Sequence, residues 1–305
     1  MDLLYKAQTR FLFHAHIRIK IPAACPDTLF DELYAVLENV DRKYNAYQPG
    51  SYIDQINRHA GSFVNVDDET IRMLEQVIDL SVFFDGAYDI TIMPLIRLWG
   101  FYKDDIRRVP APDEINAIRH LINYRNIEIS GNRVRIGKGQ EIITGSFIKA
   151  YATDRLAAAL QERGIDNAII NAGGSTIRAI NTSSDAPWQV NVTHPESEES
   201  LFTLNLDNCS YSTSSQSTAF VDIDGKRYGH ILNPATGHPA TNRLLGIATE
   251  SAMIGDIIST GLFNETSETF LEKTAQLSLH YPLAGFVLDQ DGIITATPNF
   301  SGLQE

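Results

Sequence analysis

Cysteine is nearly absent: the two present, Cys25 and Cys209, stand far apart and fit no metal-ligand spacing. A cysteine-built metal site is excluded, and the redox compartment is left open. No H-x-x-x-H pair occurs either, which removes zinc chemistry of the usual kind. Long hydrophobic runs are missing as well. The amino-terminal MDLLYKAQTRFLFHAHIRIKI carries Asp2, Lys6 and Arg10 and has no continuous apolar core ending in small residues, so we expect no signal peptide and no membrane span. The expected location is cytoplasmic, or periplasmic or exported if an export segment has been trimmed away. Positive charge is scarce too, with 25 Lys and Arg against 38 Asp and Glu and a net charge of -13. Nucleic acid and anionic membranes want basic patches, so neither is the expected partner. A phosphate-bearing ligand would need a metal or a local Lys.

The usual nucleotide loops are lacking. Gly173-Gly174 is no G-x-G-x-x-G, and G-x-x-x-x-G-K-[ST] does not occur. Serines crowd SYSTSSQST, yet no G-x-S-x-G elbow points to a triad hydrolase. Hard-cation chemistry with oxygen ligands remains.

What is present is ordinary globular material, 43% hydrophobic and 21% charged over 305 residues with no linker-like segment, so one domain over 1-305 is expected. Phe11 to Ile21 alternates as a single half-buried strand. A helix follows through Leu29, Leu33, Leu37 and Val40, with Asp27 as its cap, and Ser51 opens a short one. Asp67 to Glu69 open another, whose core stripe is Ile71, Leu74, Ile78 and Val82. Pro94 and Gly100 make AYDITIMPLIRLWGF buried and irregular. NIEISGNRVRI is a hairpin, Glu141 to Thr144 a strand, and the stretch after Ser146 a helix ending at Gly164. Short strands then run from Asn167 to Ile223, and two helices near 252 to 262 and 267 to 277 precede two last strands. Helices and strands mix without βαβ alternation, which predicts an α+β fold with a mixed sheet.

The stretch from Tyr228 to Thr260 carries the chemistry. YGHILNPATGHPA sets His230 before a short apolar run and two tight turns. SAMIGDIISTGLF is a helix that puts Asp256 and Thr260 one turn apart on one face, a pair able to hold a hard cation.

Six segments in order then resemble one family, the bacterial FAD:protein FMN transferases, or ApbE-like proteins. They are NAYQPGSYIDQIN, AYDITIMPLIRLWGF, IITGSFIKAYATDRLAAAL, IINAGGS, YGHILNPATGHP and SAMIGDIISTGLF, spread from about Phe11 to Phe300. The resemblance implies a T-fold-related domain with a flavin cleft between its halves. It implies FAD as substrate, Mg²⁺ on its diphosphate, and an acceptor protein whose Thr or Ser hydroxyl takes FMN while AMP is released. Carried over, Asp256 and Thr260 match the metal pair, with Ser146 completing it. Tyr47, Ala87, Tyr88, Asp89, Lys149 and Ile231 fall on flavin-nucleotide contacts. His230 matches the family's His before its turn and is the candidate base, with Asp256 as the other catalytic residue.

Departures stand at Ile143, where the family usually has Asp, at Ala150 for Gly, and at Ser175 for Asp or Asn. Phe13, His14 and Ala15 replace an M-G-T-like segment. These keep open an FAD-binding or FAD-hydrolysing protein without transferase activity.

Overall fold

Strands from both ends of the chain meet in one sheet. The computed structural model describes residues 4-101, 108-182, 186-217 and 219-304. Asp2 and Thr218, the last residue of SYSTSSQST, lie outside them.

The alternating amino-terminal stretch folds back on itself. β1 (Tyr5–Leu12) and β2 (Ala15–Pro22) pair antiparallel from Tyr5↔Pro22 to Leu12↔Ala15, which corrects the single strand expected over Phe11 to Ile21. Their turn is Phe13-His14, at φ 52° and 57°. A two-residue hairpin of this hand normally uses Gly or Asn, so these two residues gave no turn signal.

α1 (Leu29–Tyr44) buries Leu29, Leu33, Leu37 and Val40 at the expected spacing, but its cap position is Thr28. Asp27 instead pairs with Lys6 at 2.5 Å. α2 (Tyr52–Arg58) is opened by Ser51, whose hydroxyl accepts from the Asp54 amide at 3.0 Å. After β3 (Val64–Asn65), α3 (Asp68–Phe83) is capped by Asp67, which accepts from the Thr70 amide at 2.8 Å. Its buried face is Thr70, Met73, Leu74, Val77 and Leu80, not the stripe through Ile71, Ile78 and Val82. Two apolar stripes overlap on this helix, and the core took the one with Met73 and Val77; Val82 is left exposed.

α4 (Met93–Leu98) is a short helix with Pro94 in its first turn, as the irregular reading allows, and α5 (Pro112–Ile118) follows. β4 (Glu128–Ile129) and β5 (Arg133–Arg135) form the expected hairpin, and β5 also pairs with β3. Residues 141-144 are not a strand. Asn57 clamps both backbone groups of Ile142, at 2.7 and 2.9 Å, the Ile143 amide donates to Ile90 O at 2.8 Å, and the Thr144 hydroxyl donates to Tyr44 O at 3.0 Å. With its polar groups met this way, the segment needs no ladder.

α6 (Ile148–Glu162) ends near Gly164, at φ 70°. β6 (Ala168–Ala172) and β7 (Thr176–Ile180) turn at Gly173-Gly174, and β8 (Trp188–Thr193) and β9 (Ser200–Leu206) form a separate ribbon. β10 (Ser210–Ser215) returns to the sheet before the β11 (Phe220–Ile223) and β12 (Lys226–Gly229) hairpin. β13 (Leu244–Thr249), α7 (Ala252–Leu262), α8 (Ser267–Leu277), β14 (Leu283–Leu288) and β15 (Ile294–Ala296) complete the chain.

The main sheet runs β1-β2-β6-β7-β10-β13-β14-β15. The class is α+β as expected, but each neighbouring pair in this sheet is antiparallel, which corrects the mixed sheet expected. α1, α6 and α7 build the principal core against it. The β8-β9 ribbon contributes to a second core with Phe286 and Phe300, and a third gathers Trp99, Ile115, Ile143 and Leu232. α7 is apolar on nearly every side and correspondingly buried all round.

Candidate active site

Between the principal core and the third one opens a cleft of about 820 Å³. α6, α7, β10 and the β6-β7 turn contribute to its lining. Residues 87-90, Ile92, Ile143, residues 230-232 and Pro234 line it as well. The volume suits a sizeable organic ligand.

Asp256 reaches this cleft from the middle of α7. Its carboxylate is buried, and both oxygens accept from the Thr176 hydroxyl at 3.1 Å. Burial pushes its pKa up to about 7; nearby Lys149 and the Ser212 and Thr176 hydroxyls oppose the rise without cancelling it. Thr260, one turn on, lies 3.4 Å from the Ser214 hydroxyl, which also meets Ser259 at 2.9 Å. This is an oxygen-rich corner with one under-compensated carboxylate. Among the described residues no three His, Cys, Asp or Glu side chains come together. The donor set therefore fits a hard cation that takes one carboxylate from the protein and fills its shell elsewhere, as Mg²⁺ does.

Lys149 projects from the first turn of α6 and donates to the Ser175 hydroxyl. Burial pushes its pKa down and Asp256 pulls it back. Gly173 is what lets this corner close: at φ 70°, a Cβ there would stand 2.8 Å from Ala15 Cβ and 3.6 Å from Lys149 Nζ. We expect Gly173→Ala to cost about 1–3 kcal/mol, from overpacking together with left-handed strain, read as a lower denaturant midpoint.

His230 follows β12, and its Nδ1 lies 3.0 Å from Ala219 O. That contact assigns the ring proton to Nδ1, donating to the carbonyl, and leaves the Nε2 lone pair available. Burial lowers its pKa, opposed by the Ala219 contact, so the ring is held neutral. Ile231 is buried beside it and also lines the cleft. Trp99 Nε1 donates to Gly237 O at 2.7 Å, tying the turn after His230 to the third core.

A family model described as ApbE matches residues 13–280. The chain belongs to the ApbE family. It is similar to the FAD:protein FMN transferase of Vibrio cholerae, with 30% identity over 245 residues, covering 77% of this chain and 72% of that protein. The enzyme of the same name from Haemophilus influenzae is 24% identical over 254 residues, covering 79% and 73%. Among solved structures, the ApbE protein of Thermotoga maritima superposes with a TM-score of 0.90 at 25% identity, over 99% of this chain and 100% of that one. The apo flavinyl transferase ApbE of Pseudomonas stutzeri gives 0.85 at 25%, over 100% and 99%.

The ApbE-derived expectations divide in space. Asp256, Thr260, Ser146, Lys149, His230, Ile231 and the 87-89 segment all line the cleft. Tyr47 does not: it stands after α1, half exposed, with its hydroxyl 3.7 Å from Met93 Sδ. Asp89 lines the cleft with its oxygens already engaged. One accepts from the Thr91 amide and hydroxyl at 2.8 and 2.7 Å, the other from the Tyr124 amide at 2.9 Å, so its visible work is to hold a loop. The Tyr88 hydroxyl meets that of Ser146 at 2.9 Å.

The departures from the ApbE pattern lie at the same cleft. Ile143 and the Phe13-His14 turn line it, Ser175 partners Lys149, and Ala150 is buried behind it. Thr176 and Ser214 were missed from sequence. Thr176 follows GGS directly, but only the register of β7 against α7 shows that its hydroxyl meets Asp256.

Proposed function

We propose that this ApbE-family chain, working as a single domain over residues 1-305, is an FAD:protein FMN transferase. It moves FMN from FAD to a Thr or Ser hydroxyl of an acceptor protein, releases AMP and requires Mg²⁺. One observation carries the reading: an under-compensated buried carboxylate, a half-buried lysine amine and a neutral imidazole converge on one cleft of about 820 Å³.

Asp256 and Thr260, with Ser146, would hold the cation. When bound, Mg²⁺ neutralises charge on the FAD diphosphate. His230 Nε2 takes the proton of the acceptor hydroxyl. The hydroxyl oxygen forms a bond to the FMN-side phosphorus, and the bond from that phosphorus to the bridging oxygen breaks, with its electrons leaving on AMP. Lys149 presents a positive charge toward the phosphoryl oxygens, and the apolar wall of Ile143 and Ile231 limits water as a competing acceptor.

Incubation with FAD, Mg²⁺ and an acceptor domain should give protein-bound flavin and AMP in equal amounts. Flavin binding without either product would leave a binding protein, and AMP without labelled acceptor would leave a hydrolase. Because a ligand that binds only the folded state adds about RT ln(1 + [L]/Kd), saturating FAD should raise the melting temperature. An unmoved melting temperature, with and without Mg²⁺, would remove flavin from the reading. No described helix is long and apolar enough to cross a membrane.

A further inference from the structure

α7 carries both Asp256 and Thr260, and its start is bolted to α6 by a half-buried acid that the reaction does not use. Asp154, on α6, accepts three hydrogen bonds from the first residues of α7. The Ser251 hydroxyl donates to Oδ2 at 2.7 Å, the Ala252 amide to Oδ1 at 2.8 Å, and the Met253 amide to Oδ2 at 3.0 Å. Beside it Arg178, on β7, donates to Glu250 O at 2.8 Å and to Asn208 O at 3.1 Å. Residues 250-253 are thus gripped from α6 and from β7 together.

A carboxylate here is more than a cap needs. Ser251 already accepts from the Ile254 amide at 3.3 Å, in the ordinary way of a helix start. Drawing a carboxylate even partly out of water carries a penalty that its hydrogen bonds must offset, so a half-buried acid spending all its bonds on one helix start is better explained by geometry than by stability. The geometry is specific. Asp154 stands five residues beyond Lys149 on α6, and Asp256 stands one turn beyond Ala252 on α7. One carboxylate therefore relates the helix bearing Lys149 to the helix bearing Asp256 and Thr260.

We propose that Asp154 is a positioning residue for the cation site. It sets the axial position and rotation of α7 against α6, and with them the placement of the Asp256 and Thr260 oxygens relative to Lys149. This rests on reading the cleft as the site of Mg²⁺-dependent FMN transfer. Asp154 does not line the cleft. Its positioning effect passes through the start of α7, beside the through-space push of its charge on Asp256. Ser251→Ala, which leaves that charge in place, isolates the positioning part.

The test uses the full chain as wild type, Asp154→Asn and Ser251→Ala. It measures AMP release against Mg²⁺ concentration, FAD affinity by calorimetry with and without Mg²⁺, and the denaturant midpoint. Asparagine keeps the size but turns an amide toward the helix donors. Residues that orient metal ligands typically cost about 10- to 100-fold in metal affinity when replaced, and we expect a rise of that order in half-saturating Mg²⁺ for Asp154→Asn. FAD affinity without Mg²⁺ should stay at the wild-type value, and the rate should recover at saturating Mg²⁺. Ser251→Ala breaks one of the three bonds and should shift the Mg²⁺ requirement the same way by less. An unchanged Mg²⁺ requirement in a folded Asp154→Asn protein, whatever its stability, overturns the proposal. If that variant does not fold, an unchanged requirement in Ser251→Ala overturns it. A wild type with no Mg²⁺ requirement overturns the functional reading and this inference together.

Discussion

Asp256→Asn should fold and yet lose Mg²⁺-dependent AMP release by about 10³-fold or more, the scale expected when several kcal/mol of charge stabilisation is withdrawn from a phosphoryl transfer. The argument begins with burial. Asp256 lies in a helix enclosed on nearly every side, so its charge is expensive unless something compensates it. Thr176 supplies one hydroxyl, at 3.1 Å, and Lys149 supplies a nearby charge, but the carboxyl is still pushed up to about 7. A cation supported by Thr260 removes that penalty. Asparagine keeps the shape and accepts from Thr176 through its carbonyl oxygen, so circular dichroism should match the wild type. AMP release titrated against Mg²⁺ is the measurement. Superimposable curves would put the cation elsewhere, and an unfolded variant would make Asp256 a structural residue of α7.

His230→Ala should lower turnover by roughly 10²- to 10⁴-fold, the usual worth of a positioned general base, while calorimetric FAD affinity changes little. The pH dependence follows from its environment. Burial lowers the folded pKa of His230 below the ordinary imidazole value, so the neutral, proton-accepting form is present above that lowered pKa and is lost as pH falls through it. At saturating Mg²⁺, which would keep Asp256 ionised although its own pKa is pushed up to about 7, the wild-type rate should therefore rise with pH, level off below the ordinary imidazole value, and stay flat through neutrality. The alanine variant should lack this acid limb. A variant with normal AMP release would assign His230 to holding the 219-230 loop through its contact with Ala219.

Much of this was written locally. The helix of Asp256 and Thr260 has the expected limits because an apolar run opened by Ser251 has one way to satisfy its amides. Gly164 and the Asp224-Gly225 turn likewise stop and reverse the chain where their conformational freedom predicts. Elsewhere local signals misled. Phe13-His14 turns a hairpin without Gly or Asn, residues 141-144 are held by Asn57 instead of a strand partner, and α3 turned its other apolar stripe inward. In each case distant packing outweighed a local preference.

By itself, the sequence determined the α+β class, the ApbE family, and the residue types that can hold a cation and move a proton, because periodicity, capping and ordered motifs are local or linear properties. Only the tertiary structure decided which of those residues meet. It placed Lys149 and Asp256 at one corner, engaged Asp89 within a loop, left Tyr47 outside the cleft lining, and gave Asp154 the start of α7. The reason is physical: contacts between residues 80 to 100 positions apart are set by the register of strands and the rotation of helices, and those are fixed when the whole core packs, not by any one segment.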